Sequence, residues 1–302
     1  MAGVTGTSQL DQTVNAVRAK AIFTMQDYGV FPGAVDRAEV PAGNRSFTEP
    51  KISAVTAYDL TEGLDMAQAQ QLSDTLITIT PTEVGVQVIY TKLAQKTRSE
   101  SVVNLISRAI TDALKKKQDT DGTAQMDNFA VAFGGSGKTL TRGYISAAIA
   151  QVRGNTTEIS KEQLYCAVHP FTFNDLVDQL TEGLSLSNAG VPSSLLEIGA
   201  AGTVVGHQRT HLDLIQRYGV GSLHGVPILT DANFAIASSL AKGGVFTKRA
   251  VVYAELWGVD VEPEKDGSLR GTEMNGTMCY AYGERTDTWG VELNMGAASP
   301  TY

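Results

Sequence analysis

The spacing of apolar positions along this chain changes several times, and each change predicts an element. Val102, Leu105, Ile106, Ala109, Ile110 and Ala113 follow helical spacing and predict one long amphipathic helix over about 100–118. Ser99 or Ser101 can cap its start, with Glu100 in the first turn. Asp112 and Lys116 form an i,i+4 pair, and Lys115-Lys116-Lys117 falls at the expected C-terminal end, where cations suit the helix dipole. The pattern fades near Asp119-Thr120-Asp121-Gly122. A second helix is predicted over about 141–152, with Tyr144, Ile145, Ala148, Ile149 and Val152 on one face and Gly154 as its stop. Residues 173–180 also read as helical. Residues 164–168 are short and apolar and stop at Pro170, which suits a strand. The preceding Ser160-Lys161-Glu162-Gln163 has the form of a helix capping box, so both readings stand. Strand signals return at 226–229, 250–261, 278–282 and 290–295.

Residues 44–90 keep a different rhythm. They are rich in Thr, Val, Ile and Ser and read as two extended runs, 46–58 and 75–90, with Val84, Val86 and Val88 alternating in the second. Between them lies the polar segment Asp59-Leu60-Thr61-Glu62-Gly63-Leu64-Asp65. The pattern predicts a long two-stranded ribbon with an acidic tip. A lone two-stranded ribbon is marginal in water, so its stabilising contacts are expected from another subunit. Ahead of it, residues 1 to about 30 form a short arm in which Val14, Val17, Ala21 and Ile22 allow a turn or two of helix. Pro32, Pro41 and Gly43 then break regularity. Residues 181–225 are Gly- and Ser-rich and resist ordering. The chain reads as α+β, with no internal repeat.

Composition narrows the function. The 302 residues are 42% hydrophobic and 19% charged, enough apolar material for a sizeable core. The net charge of −8 argues against tight nonspecific nucleic-acid binding, which needs clustered Lys and Arg. Cys166 and Cys279 are far apart and form no spacing motif, so they read as small core residues. The N-terminus has no basic n-region or apolar h-region, and no apolar run reaches membrane-spanning length.

Each candidate for chemistry meets a simpler reading. Gly134-Gly135-Ser136-Gly137-Lys138-Thr139 follows an apolar run and precedes a helix, the setting of a phosphate-cradling loop. Ala132 replaces the motif's first glycine, and no good acidic strand for Mg²⁺ follows, since the run 226–231 that reaches Asp231 carries Pro227, so a connector is the simpler reading. His207 and His211 have zinc spacing, but Gln208 stands where a metalloprotease needs Glu, and Gly202 and Gly206 oppose a helix. Cys166 and His169, three apart on a strand, face opposite ways. Asp260, Glu262, Glu264 and Asp266, interrupted by Pro263, read as a solvated turn. Tyr253, Trp257, Tyr280, Tyr282 and Trp289 read as core or interface packing. No nucleophile, base and oxyanion set assembles. No catalytic, cofactor-binding or metal-binding residue is assigned, no cofactor is expected, and the chain does not read as an enzyme.

The order of elements resembles the Hong Kong 97-type capsid fold of tailed phages. The tip Leu60-Thr61-Glu62-Gly63 and the returning strand, from Pro81-Thr82-Glu83-Val84-Gly85 to Val88-Ile89-Tyr90-Thr91, are similar to that family's extended loop. The helix over 100–118 corresponds to its spine helix. Tyr165-Cys166-Ala167-Val168-His169-Pro170, followed by Phe173-Asn174-Asp175-Leu176, is similar to its strand, proline, helix lead-in to the axial domain. Gly225-Val226-Pro227-Ile228-Leu229-Thr230-Asp231 is similar to its Gly-x-Pro strand. The stretches through Trp257, Gly271-Thr272 and Tyr280 look like the return to the peripheral domain. The resemblance implies an N-terminal arm (1–43), an extended loop (44–92), a peripheral domain with the spine helix (93–165), an axial domain (166–245) and return strands of the peripheral domain (246–302).

It further implies pentamers and hexamers in an icosahedral shell around double-stranded DNA, made in the host cytoplasm and residing in the virion. The DNA is held without sequence-specific contact, and no membrane is involved. A portal is implied, with or without a decoration protein. With no long helical leader before the ribbon, a separate scaffolding protein is expected. No crosslinking residues are assigned. Asp59, Glu62 and Asp65 are expected to dock on a basic patch of a neighbour, with Lys115, Lys116 and Lys117 as a candidate partner. An encapsulin-type nanocompartment shell is the alternative, and a nucleotide-binding enzyme built on 134–139 is the alternative of another class. Residues 1–30 and 44–90 should exchange amide hydrogens rapidly in a free subunit and slowly in a particle. Equal protection of the ribbon in both states would contradict this.

Overall fold

A computed structural model describes residues 4–5, 29, 31–41, 43–63, 69–97, 102–154, 162–182 and 222–299. In chain order the elements are β1 (Val4–Thr5), the short helix α1 (Phe31–Ala34), β2 (Asp36–Glu39), β3 (Phe47–Ile52), β4 (Asp74–Ile79) and β5 (Thr82–Thr91). Then come α2 (Lys92–Lys96), the long helix α3 (Val102–Thr123) with a 3₁₀ turn at Ala124–Asn128, β6 (Ala132–Gly134), α4 (Arg142–Arg153), β7 (Leu164–Val168) and α5 (Pro170–Glu182). Strands follow: β8 (Ser222–Leu223), β9 (Val226–Thr230), β10 (Ile236–Ala237), β11 (Leu240–Thr247), β12 (Val251–Asp266), β13 (Gly271–Glu284) and β14 (Gly290–Gly296). A first sheet has the order β1-β5-β13-β12-β2. A second runs β6-β14-β11-β7-β9-β8, with β10 beside β11, and β3–β4 stands apart as a hairpin. The class is α+β.

Helix α3 lies across the first sheet, against β5, β12 and β13. Ile110 and Leu114 are fully buried there, with Val103 and Ile106 packed beside them against Val84, Val86 and Val88 of β5. The apolar stripe therefore runs through Leu114 rather than Ala113, and Ala109 is exposed. The helix also continues to Thr123, past its expected end. The apparent stop signals are contact positions instead. Asp119 is fully buried, and Gly122 sits against the Phe31 ring, where a Cβ would come 2.5 Å from Cδ1. Lys115–Lys117 thus precede the last turn, and the expected dipole benefit does not apply. Lys117 Nζ reaches Asp121 at 2.6 Å, whereas Asp112 Oδ2 is buried without a partner, so the Asp112–Lys116 pair is not the one formed.

The second sheet has its own core, built from α4, α5 and the strands. Ile145, Ala148, Ile149 and Val152 of α4 meet Leu164, Cys166 and Val168 of β7 and Val291, Leu293 and Met295 of β14. Residues 164–168 are a strand, antiparallel to β11 and parallel to β9. Pro170 then starts α5, a position where its missing N–H costs nothing. His169 Nδ1 accepts the Phe171 N–H at 3.1 Å and serves as the cap. The acids at 260–266 correct the expected turn. β12 continues through Pro263, which is tolerated because β2 pairs β12 only over Val252–Glu255, leaving an edge beyond. Only Asp266 reaches the turn, accepting the Ser268 and Leu269 N–H groups and the Ser268 hydroxyl. These bonds hold its carboxyl below the usual range.

Phe31 joins the two sheets. Its ring lies 5.6 Å from Phe246 of β11 and 6.1 Å from Tyr282 of β13, which in turn is 5.0 Å from Tyr253 of β12. Leu114→Ala should lower the unfolding free energy of the full-length subunit by about 2–5 kcal/mol in denaturant titration. Lys116→Ala on the wet side of the same helix should stay within about 0.5 kcal/mol.

Candidate assembly surface

The ribbon is ladder-paired over a shorter length than the sequence predicts. Phe47–Ile52 pairs with Asp74–Ile79, from Phe47↔Ile79 to Ile52↔Asp74. The run 75–90 is divided at Thr80-Pro81: β4 stays in the ribbon, and β5 joins β13 in the first sheet. Pro81 has no N–H to give to a ladder, which fits a corner at this position. Beyond the ladder, Ser53 N–H donates to Ser73 O at 2.8 Å, and Thr56 N–H donates to Gln70 Oε1 at 2.8 Å. Residues 53–63 carry no strand assignment and are exposed throughout.

Among the described residues, the packed part of the ribbon is its base. Ile79, Phe47 and Ile77 meet Val40, Val252 and Ala254 in a small cluster. Gly283 of β13 makes room for Ile79, since a Cβ there would lie 2.5 Å from Ile79 Cγ1. Arg285, its side chain only 9% exposed, clamps this base. Its Nε donates to Glu49 Oε2 of β3 at 2.8 Å, and its guanidinium also donates to Asp36 Oδ2 of β2 at 2.9 Å and to Arg249 O at 3.1 Å. The adjacent Glu284 carboxyl is pushed up to about 7 by burial and by Asp287 beside it, with Lys51 of the ribbon opposing. The described residues of the outer ribbon have no such support. Ile52, Val55, Tyr58, Leu60, Leu72 and Leu76 are all more than half exposed. An apolar set of this kind on a projecting ribbon marks an interaction surface.

Asp59 and Glu62 stand exposed at the far end of the ribbon and make no ion pair among the described residues, while Asp65 lies outside the described residues. Lys115, Lys116 and Lys117 are exposed on α3, with Lys117 engaged by Asp121 and Lys115 lining a cleft beside α1. Among the described residues no ion pair joins the two sets. The residues that fix the ribbon, namely Arg285, Glu49, Asp36 and Ile79, left no sequence signal. Glu49 and Arg285 are 236 positions apart.

The other candidates fall into structural places. In the glycine loop, Gly135 N–H donates to Asn294 O at 2.8 Å and Lys138 N–H to Gly135 O at 3.1 Å, so these two donors are turned inward. Cys166 is fully buried, and burial pushes its thiol up to about 12. Cys279 is buried as well, and both thiols are free. His207 and His211 lie outside the described residues. Trp257 is 40% exposed at an irregularity of β12, whereas Tyr253 and Tyr280 are core. Among the described residues no group of three His, Cys, Asp or Glu gathers to hold a metal, and no helix is long and apolar enough to cross a membrane.

Arg285→Ala should speed proteolysis within residues 53–63 several-fold while costing about 1–3 kcal/mol of global stability. Arg285→Lys should recover only part of the protection, since an ammonium cannot fork across Glu49 and Asp36.

No protein-family model matches the sequence, and no curated protein matches it. Solved structures do match. The capsid of Ralstonia phage GP4 superposes with TM-score 0.69 at 10% identity, covering 94% of this chain and 95% of that one. The capsid structure of cyanophage P-SCSP1u gives 0.65 at 14% identity, covering 93% and 92%. An encapsulin complex from Synechococcus elongatus gives 0.63 at 12% identity, covering 97% and 98%. In each of the three the match covers more than nine tenths of both chains. The chain has the Hong Kong 97-type capsid fold of the tailed-phage shell proteins.

Proposed function

We propose that this chain is the major capsid protein of a tailed phage, building an icosahedral head of pentamers and hexamers around double-stranded DNA. The observation that carries this is the ribbon: clamped at its base by Arg285, apolar and unsupported beyond it, within a fold shared along nearly its whole length with phage capsid proteins. Such a surface gains its partners from copies of the same chain. The role is architectural, with no catalytic step. A separate scaffolding protein during assembly, a portal, and packaged DNA without sequence-specific contact complete the reading, with or without a decoration protein. The subunit is made in the host cytoplasm and ends in the virion.

In domain terms, residues 1–43 are the arm, 44–92 the extended loop, whose last strand β5 lies in the first sheet, and α3 the spine of a peripheral unit that includes β5 and the return strands β12 and β13. Residues 166–245 form the axial unit. Because α4 and β14 pack on the second sheet, we group them with it, although they lie in the segments 93–165 and 246–302.

The encapsulin likeness supports a second reading, a nanocompartment shell. Particle contents separate the two: nucleic acid and packaging proteins against an enclosed enzyme. A nucleotide-binding role for 134–139 finds no support in a loop whose Gly135 and Lys138 N–H groups are turned inward. Lys138→Ala should leave particle formation unchanged.

Expression of the full chain should give closed particles by negative-stain microscopy. Replacing Glu62 and Asp65 together by Lys should cut particle yield several-fold, with recovery on reversing one basic residue of the neighbour, Lys115 or Lys116 first. Exposed pairs of this sort contribute under about 1 kcal/mol each, so the effect works through register over many copies. Wild-type yield and salt dependence in the double variant would remove the tip from the assembly contact.

A further inference from the structure

Asp119 lies near the end of α3, and Asp231 is the residue after β9. Both are buried, at 0% and 3% exposure. Asn233 bridges them: its Nδ2 donates to Asp119 Oδ2 at 2.8 Å, and its backbone N–H donates to Asp231 Oδ1 at 2.9 Å. The other two oxygens, Asp119 Oδ1 and Asp231 Oδ2, are buried with no donor, and the carboxyl groups lie within hydrogen-bonding reach of each other. Two carboxylates offer acceptors only, and a single proton between them supplies the missing donor. We propose that Asp119 and Asp231 share one proton and form a pH-dependent latch, which ties α3 to the end of β9 and holds the backbone at Gly29.

The surroundings favour this over two full charges. Lys115 and Arg37 line the cleft beside Asp119, but the Arg37 guanidinium is taken by Glu255. Asp121, one turn-face away on α3, accepts from Lys117 Nζ and from the Tyr280 hydroxyl. The Tyr282 hydroxyl from β13 is buried, and burial, with Asp119 among the lesser causes, keeps it neutral. His169 approaches from the start of α5; burial lowers its pKa, so it is a weak source of compensating charge. Gly29 closes the site: a Cβ there would fall 1.7 Å from Asp231 Oδ2, so the chain rests directly on the carboxyl group.

Burial and the neighbouring Asp119 push Asp231 up to about 7, with the Asn233 N–H and His169 acting the other way. The folded state keeps a proton that the unfolded chain releases in the ordinary carboxylate range. The latch is therefore tightest below the ordinary carboxylate range, weakens as pH rises from there to about 7, and changes little beyond. One proton sets a ceiling of about tenfold per pH unit on the change in opening.

Hydrogen exchange of the full-length protein from about pH 5 to 8.5, corrected for intrinsic rates, tests this. Peptides covering 115–123 and 231–234 should lose protection by up to tenfold per pH unit as pH rises towards about 7, and change little above it. In Asp231→Asn or Asp119→Asn the amide is a permanent donor, and the loss should vanish. Glu284→Gln, which removes the other raised carboxyl, should keep it. An unchanged loss in Asp231→Asn, or flat protection in the wild type, overturns the latch. Recovery of protection at high pH on adding Mg²⁺ or Ca²⁺ overturns it too, by assigning the pair to a cation. If neither Asn variant folds, infrared spectra of ¹³C-aspartate-labelled wild type decide: a protonated carboxyl band at pH 6 that fades by pH 8.5 supports the proposal, and its absence at pH 6 refutes it.

Discussion

The rest of the fold hangs on one antiparallel pairing that runs through both sheets. β11 pairs with β14 from Leu240↔Gly296 to Phe246↔Gly290, and β12 pairs with β13 from Val251↔Glu284 to Asp266↔Gly271. The two ladders are consecutive in the chain on both sides. They are separated only by a corner at 248–250 and 285–289, where Ala250 N–H donates to Thr247 O and Arg285 N–H donates to Ala250 O. Each sheet is thus an extension of the same hairpin, and whatever fixes the corner fixes one sheet against the other. Phe31 fills this place from the arm side, between Phe246 and Tyr282, and Gly122 of α3 lets its ring in.

The same corner anchors the ribbon. Arg285 ends the inner hairpin, and its side chain gathers β2 and β3. A two-stranded ribbon has too little buried area to hold its own direction. Fixing only its base gives it a defined exit from the sheet while its outer half stays available. Acids, rather than apolar contacts, receive the guanidinium. That choice costs desolvation but fixes geometry through directed bonds, a trade that suits an element whose aim matters more than its own stability.

Much of this was legible in the sequence where the signal is local. α4 matches its predicted span to within one residue because its apolar face is isolated between Thr141 and Gly154. The alternation of Val84, Val86 and Val88 announced a strand with one buried face, although it packs under α3 and not in the ribbon. The errors share a cause. Asp119 and Gly122 carry the chemistry of a helix stop, and only the tertiary contacts with Asn233 and Phe31 make them interior positions. β11 went unseen because Lys242-Gly243-Gly244 breaks its alternation, yet those glycines allow the close approach of Ala167 O and Met126. The Arg285 clamp and the Asp119–Asp231 pair join residues more than a hundred positions apart, and no periodicity encodes such a meeting.

The distribution of apolar surface then separates what the subunit finishes alone from what it leaves open. Inside the two sheets the large apolar side chains are buried or half-buried, with Trp257 and Ile236 exposed, and among the described residues most of the exposed large apolar side chains stand on the ribbon: Ile52, Val55, Tyr58, Leu60, Leu72 and Leu76. A chain that ended its life as a monomer would carry an aggregation hazard there, since an open ribbon edge also offers unpaired backbone groups. The acids at 59 and 62 and the net charge of −8 work against indiscriminate pairing of such edges through like-charge repulsion. In the proposed shell, association would be favourable where a neighbour supplies both an apolar seat and positive charge. A repeating contact between copies of one chain would meet that condition many times over, and the weak contacts of a single ribbon would become decisive by their number.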